Sequence, residues 1–120
     1  MKIGFIGAGQ MATALARGFV ASQEKDDGPA ISFFDPSPEA CAQFSKSIST
    51  ATLLADAPEV VTTADIVFLA VKPQILPAVL DSIATVVTTD VLLVSIAAGV
   101  TLDVICGRTD SDRVIRVMPN

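Results

Sequence analysis

Gly7-Ala8-Gly9-Gln10-Met11-Ala12 spells G-x-G-x-x-A between an apolar run, Lys2 to Ile6, and a segment with helical spacing. Gly7 suits a tight turn, Gly9 lets a backbone approach a pyrophosphate, and the small Ala12 lets helix and strand pack closely. The helix that follows offers unpaired N–H groups and the positive end of its dipole to phosphate oxygens. Asp35 lies 23 positions beyond Ala12, close to the spacing of about 20 at which a carboxylate reaches an adenosine ribose. Together these residues predict dinucleotide binding. Taken singly they say less, because glycines occur in many strand-to-helix turns and Asp35 before Pro36 could be a solvated turn residue. If Asp35 grips the ribose diol, the nucleotide is NAD. If Ser37, at the start of a helix, offers its hydroxyl and backbone N–H groups to a 2′-phosphate, it is NADP. Local chemistry leaves both open.

Further chemistry is expected at three other strand ends. Val71-Lys72-Pro73-Gln74 closes an apolar run, and Pro73 fixes the exit so that the backbone from Ala70 to Lys72 can flank a cofactor. Ser95-Ile96-Ala97-Ala98-Gly99 and Met118-Pro119-Asn120 end two more runs in small or polar residues. All three are expected to converge where a nicotinamide ring would lie, although each is also an ordinary way to leave a strand. The chain has no His, Tyr or Trp. That excludes a Ser/His/Asp or Cys/His nucleophilic centre, a histidine-liganded metal and a tyrosine acid. No metal site is expected, and no catalytic residue is assigned. Hydride transfer remains open if the acceptor is already an electrophilic cation, because positioning then carries much of the rate. Asp26-Asp27 beside Lys25 and the stretch Asp110 to Arg113 read as solvated charge.

The elements that must hold these residues alternate in a βαβα rhythm, the mark of a parallel sheet covered on both faces. Strands are expected at Lys2 to Ile6, Ala30 to Phe34, weakly at Thr50 to Leu54, at Ile66 to Val71, Val91 to Ile96 and Arg113 to Met118, the last alternating outward and inward. The helical spacing predicts helices from Gly9 to about Ser22, from Pro38 to about Lys46, a very short one after Asp56-Ala57-Pro58, one from Gln74 to about Val87, and one from Thr101 through Cys106. Glu24 to Pro29 reads as a loop. Ser37-Pro38 and Asp56-Pro58 both carry a capping residue followed by a proline suited to a first helical turn. The expected architecture is a Rossmann-type doubly wound parallel sheet of about six strands.

Length and composition bound the rest. One hundred and twenty residues, 51% hydrophobic with 18% charged and a mean hydropathy of +0.59, make one domain with a well-filled core. A net charge of −5, without clustered Lys and Arg, argues against nucleic acid. Apolar runs such as Ile66 to Val71 fall far short of the roughly 20 residues that span a bilayer. Lys2 is followed by glycines and Gln10 where a signal peptide needs an unbroken apolar stretch. Two cysteines, Cys41 and Cys106, suit free thiols in a reducing compartment, so a cytoplasmic location is expected. The sequence stops directly after a strand with no closing helix, which reads as a truncated chain.

Four stretches, IGFIGAGQMATALARGF, ADIVFLAVKPQ, SIAAGVT and RVIRVMPN, occur in this order and are spread from one end of the chain to the other. The chain resembles the N-terminal domain of the pyrroline-5-carboxylate reductases. That resemblance implies hydride transfer from NAD(P)H to 1-pyrroline-5-carboxylate, giving L-proline in the last step of its biosynthesis, with NADPH the favoured donor. It implies cofactor contacts from Ile6, Gly7, Ala8, Gly9, Gln10 and Met11, from Ala70, Val71, Lys72 and Pro73, and from Ala97 and Asn120 near the nicotinamide. It also implies a helical C-terminal domain, absent here, that holds the small-molecule substrate and forms a homo-oligomer, so that this chain alone is inactive. Asp35 departs from the neutral or basic pattern that the family often shows after the second strand. Many relatives carry a polar residue where Ala57 stands, so no contact is assigned to Ala57. Alternatives are the cofactor domain of a β-hydroxyacid dehydrogenase or of an F420-dependent NADP reductase type, and a non-catalytic NAD(P)-binding module.

Overall fold

A computed structural model describes residues 1–21 and 28–118. Its elements run β1 (Lys2–Ile6), α1 (Gln10–Ala21), β2 (Ala30–Phe34), α2 (Pro38–Ser47), β3 (Thr52–Leu53), α3 (Ala57–Thr63), β4 (Ile66–Leu69), α4 (Leu76–Ile83), β5 (Leu92–Ser95), α5 (Leu102–Thr109) and β6 (Val114–Arg116). The strands form one parallel sheet in the order β3-β2-β1-β4-β5-β6. Parallel neighbours need crossovers, and right-handed crossovers place helices on opposite faces when the strand order reverses direction. The reversal falls between β1 and β4, which pair in register from Ile3↔Ile66 to Ile6↔Leu69.

Side chains alternate between two cores. Ile3 and Phe5 of β1 and Ile31 and Phe33 of β2 join Ala12 and Ala16 of α1 and Cys41 and Phe44 of α2 on one face. Ile6, Val67, Leu69 and Leu93 point the other way, onto Val60 and Val61 of α3, Leu76, Leu80 and Ile83 of α4, and Ile105 of α5. Strands buried on both faces explain why the apolar runs do not alternate with polar residues. The first core is stacked with phenylalanines: Phe33 and Phe44 have centroids 4.4 Å apart, and Phe5 stacks on Phe68 at 5.2 Å. Such pairs contribute about 0.5–1.5 kcal/mol beyond the area they bury. Gly4 allows α3 to lie tight on β1, since a Cβ there would stand 2.5 Å from Val60 Cγ1.

The expected strand and helix types all occur, and β1 and β2 match to the residue. Several boundaries differ. β4 ends at Leu69 rather than Val71 and β3 is only Thr52–Leu53, while β5 loses one residue at each end of its expected span. α4 is Leu76–Ile83 rather than Gln74 to Val87. A turn in which the Ile75 N–H donates to the Lys72 carbonyl precedes it, and Pro77 brings no N–H to its first turn. Beyond it the Val86 N–H donates to the Ile83 carbonyl, a tighter turn before the β-branched Thr88 and Thr89. α5 runs past Cys106 to Thr109, because Thr101 caps the Val104 N–H and Asp110 closes the helix in the left-handed conformation at φ 53°. β6 is three residues long, and of Arg113 to Met118 only Val114 is half-buried, so its outward and inward alternation does not hold. Ser22, the loop residues from Glu24 to Asp27 with the pair Asp26-Asp27, and Pro119 and Asn120 lie outside the described residues. Among the described residues no helix is long and apolar enough to cross a membrane.

Candidate functional site

The carboxyl ends of β1, β2 and β4 meet where the strand order reverses, the place where open α/β sheets leave a crevice. Beyond Ile6 the β1 chain continues its pairing with β2 for one residue, as the Gly7 N–H donates to the Phe34 carbonyl at 2.8 Å. Gly7 then turns with φ +102°, a conformation that strains side-chain-bearing residues. A Cβ on Gly7 would stand 2.5 Å from the Ala70 carbonyl oxygen and 2.7 Å from its carbon. The turn after β1 therefore lies directly on the backbone leaving β4.

Gly9 is the opposite case. Nothing lies within 4 Å of the position a Cβ would take there, and Gly9 is exposed. The first hydrogen bond into α1 runs from the Thr13 N–H to the Gly9 carbonyl at 3.0 Å. The amides of Gly9 through Ala12 thus have no partner within the helix. An anion over Gly9 would meet open space, free N–H groups and the positive end of the α1 dipole. The residues present fit a pyrophosphate.

A cleft of about 650 Å³ extends from this turn. Ile6, Gly7 and Gly9 form one side, Phe34 to Ser37 the next, Asp56 to Pro58 the N-terminus of α3, and Ala70 to Lys72 the exit of β4. Ile75, just before α4, and Ala78, Val79 and Ser82 within it close it. The wall is mostly apolar, as a flat heterocycle requires, with Asp35, Asp56 and Lys72 as its charged members. Asp56 is committed to capping, its Oδ1 accepting the Glu59 N–H at 2.9 Å. A second cleft of about 540 Å³ opens between α1 and α2 on the far side of Gly9, with Ala8, Gln10, Thr13 and Arg17 on its α1 side. Arg17 there donates to Ser47 Oγ at 3.2 Å.

Of the residues singled out in the sequence, Ile6, Gly7, Gly9, Asp35, Ser37, Ala70, Val71 and Lys72 come together in the larger cleft. Ala8 and Gln10 face the smaller one. Met11, at 42% exposure, and Pro73 line neither. Ala97 is buried past the end of β5, with its N–H donated to Ser95 Oγ at 3.2 Å. Asn120 lies outside the described residues. The carboxylate of Asp35 is held by two backbone amides, Ala8 N–H to Oδ2 and Ser37 N–H to Oδ1, both at 2.8 Å. Ser37 caps α2, its Oγ accepting the Ala40 N–H at 3.2 Å, which leaves its own O–H to donate. Sequence reasoning missed the α3 and α4 wall. The cap at Asp56 marked where α3 begins, and only the sheet order shows that this helix end opens on the glycine turn. Among the described residues there is no cluster of acids or cysteines suited to a metal ion.

A doubly wound parallel sheet with a glycine turn at its reversal defines a Rossmann-type domain of the dinucleotide-binding class. The chain belongs to the family described as NADP oxidoreductase coenzyme F420-dependent, which matches residues 2–99. It is 43% identical over 120 residues to a pyrroline-5-carboxylate reductase of Escherichia coli, covering 99% of this chain and 44% of that protein. The pyrroline-5-carboxylate reductase structure from Coxiella burnetii superposes with a TM-score of 0.87 at 30% identity, over 98% of this chain and 43% of that one. The Plasmodium falciparum pyrroline carboxylate reductase, solved with NADP bound, gives a TM-score of 0.79 at 30% identity, over 100% and 42%. The chain therefore spans less than half the length of these relatives.

Proposed function

We propose that this chain is the NADPH-binding part of a pyrroline-5-carboxylate reductase, which reduces 1-pyrroline-5-carboxylate to L-proline. The observation that carries the nucleotide reading is the paired behaviour of the two glycines: one seals the turn against β4, the other leaves open space at a helix N-terminus. In this reading the pyrophosphate lies over Gly9, with the amides of Gln10 and Met11 within the turn that receives it. Ile6 and Ala8 shape the turn, the adenosine occupies the cleft beside Asp35 and Ser37, and Ala70 to Pro73 flank the path to the nicotinamide. Contacts of Ala97 and Asn120 with the nicotinamide are carried over from the resemblance alone. NADPH is favoured by the resemblance and by the relative solved with NADP bound. The Ser37 hydroxyl, still free to donate, suits its 2′-phosphate. NADH is the second reading, favoured by the carboxylate of Asp35 lining the cleft.

The nucleotide supplies a hydride, and the chain binds and orients it. Without His or Tyr in the sequence, the reading requires a substrate that is itself electrophilic, as a protonated cyclic imine is. Substrate binding and self-association are assigned to the further length that the relatives possess, and the two free cysteines suit a cytoplasmic location. The test is an assay of the longer protein containing this chain with pyrroline-5-carboxylate and NADPH. Nicotinamide absorbance is expected to fall with stoichiometric formation of proline. Nucleotide binding without turnover on this imine would instead favour a reductase of another substrate class or a non-catalytic binding module.

A further inference from the structure

Asp35 sits where β2 stops pairing with β1. The main-chain ladder ends at the bond from the Gly7 N–H to the Phe34 carbonyl, and Pro36, lacking an N–H, cannot extend it. The side chain of Asp35 continues it instead. Oδ2 takes the Ala8 N–H and Oδ1 the Ser37 N–H, while the Asp35 carbonyl accepts from the buried Cys41 Sγ at 3.1 Å. Ala8 leads into α1 and Ser37 is the N-cap of α2. One carboxylate thus spans the two helix N-termini that border the cleft, placed where both dipoles favour a negative charge. Bonds to an ionised acceptor are stronger than neutral ones.

We propose that Asp35 is a positioning residue that staples the glycine turn to the start of α2 and presets the nucleotide cleft, rather than a reader of the adenosine ribose. This rests on the nucleotide-binding reading above. Both of its oxygens are engaged within the chain, and the two amides offset its charge toward an incoming 2′-phosphate. A carboxylate at the end of β2 then imposes no choice of NADH over NADPH. Its contribution is to hold the turn closed before the nucleotide arrives, which lowers the ordering cost of binding for both nucleotides.

The test compares the ¹⁵N-labelled chain with Asp35→Ala and, as the isosteric and gentler change, Asp35→Asn. Asp35→Ala is expected to move the Ala8 and Ser37 amide proton resonances upfield and to speed Ala8 exchange by about tenfold or more, while the amide of Thr13, inside α1, stays put. It is expected to weaken NADPH and NADH alike by about tenfold, leaving their affinity ratio within about threefold. Asp35→Asn keeps one acceptor oxygen, so at least one of the two amides is expected to move and binding of both nucleotides to fall by a smaller factor. Unmoved Ala8 and Ser37 resonances in either variant would overturn the staple. So would a ratio shifted about tenfold toward NADPH, because that is the signature of a carboxylate facing the ribose. If the unmutated chain bound neither nucleotide, the functional reading would fall, and the amide resonances would still decide the staple.

Discussion

Gly7→Ala is expected to cost about 2–6 kcal/mol of stability, as the sum of two separate penalties. A side-chain-bearing residue held at φ +102° pays about 1–3 kcal/mol for its backbone conformation. Its Cβ would also press on the Ala70 carbonyl at 2.5 Å, and that neighbour is backbone whose N–H is itself bonded to the Ile6 carbonyl at 2.8 Å. Relief requires the β1 turn and the β4 exit to separate, and overpacking of that kind adds about 1–3 kcal/mol. Against a total of about 5–15 kcal/mol for a domain, such a loss brings the chain near unfolding. Urea denaturation followed by circular dichroism checks it. A large fall in the midpoint with little change in slope is expected, whereas an unchanged midpoint would show that the turn can be rebuilt without Gly7.

The second large effect is on binding, two residues further on. Gly9→Val adds a side chain where nothing lies within 4 Å and where φ is outside the left-handed region, so its midpoint in urea is expected to stay within about 1 kcal/mol of the parent. The same side chain would fill the space over the amides of the α1 N-terminus. Affinity for NADPH is expected to drop by about a hundredfold or more, equivalent to about 2.7 kcal/mol or above. Gly9→Ala should fall between. Opposite outcomes at neighbouring glycines, stability lost at Gly7 and binding lost at Gly9, separate a nucleotide site from a merely structural turn. Equal affinity in Gly9→Val would place the pyrophosphate elsewhere.

How much of this could be read beforehand follows from what each residue type can signal. The glycine turn, the first two strands and both cap-then-proline starts were legible because each is a local choice with few alternatives: Ser37 and Asp56 both accept the amide three residues on, as a capping residue should. Boundaries set by tertiary contacts were not legible. β4 and the apolar chain beyond it look alike in sequence, and nothing local marks Leu69 as the end of the strand, after which the Ala70 N–H makes one more bond to the Ile6 carbonyl. The α4 wall of the cleft consists of ordinary residues, Ile75, Ala78, Val79 and Ser82, whose role depends only on where the helix lands. Asp35 was singled out for its spacing, but spacing cannot tell a carboxylate that awaits a ribose from one that has taken two amides of its own chain. Ala97, placed by resemblance beside the nicotinamide, is buried with its amide bonded to Ser95, an arrangement that the small-residue turn did not disclose.

The central claim is that the cleft running from Gly9 past Asp35 to Lys72 is a pyridine-nucleotide site. Calorimetric titration of NADPH into the chain tests it most directly. The account predicts saturable binding with one nucleotide per chain. Absence of saturable heat with NADPH, and likewise with NADH, would contradict it.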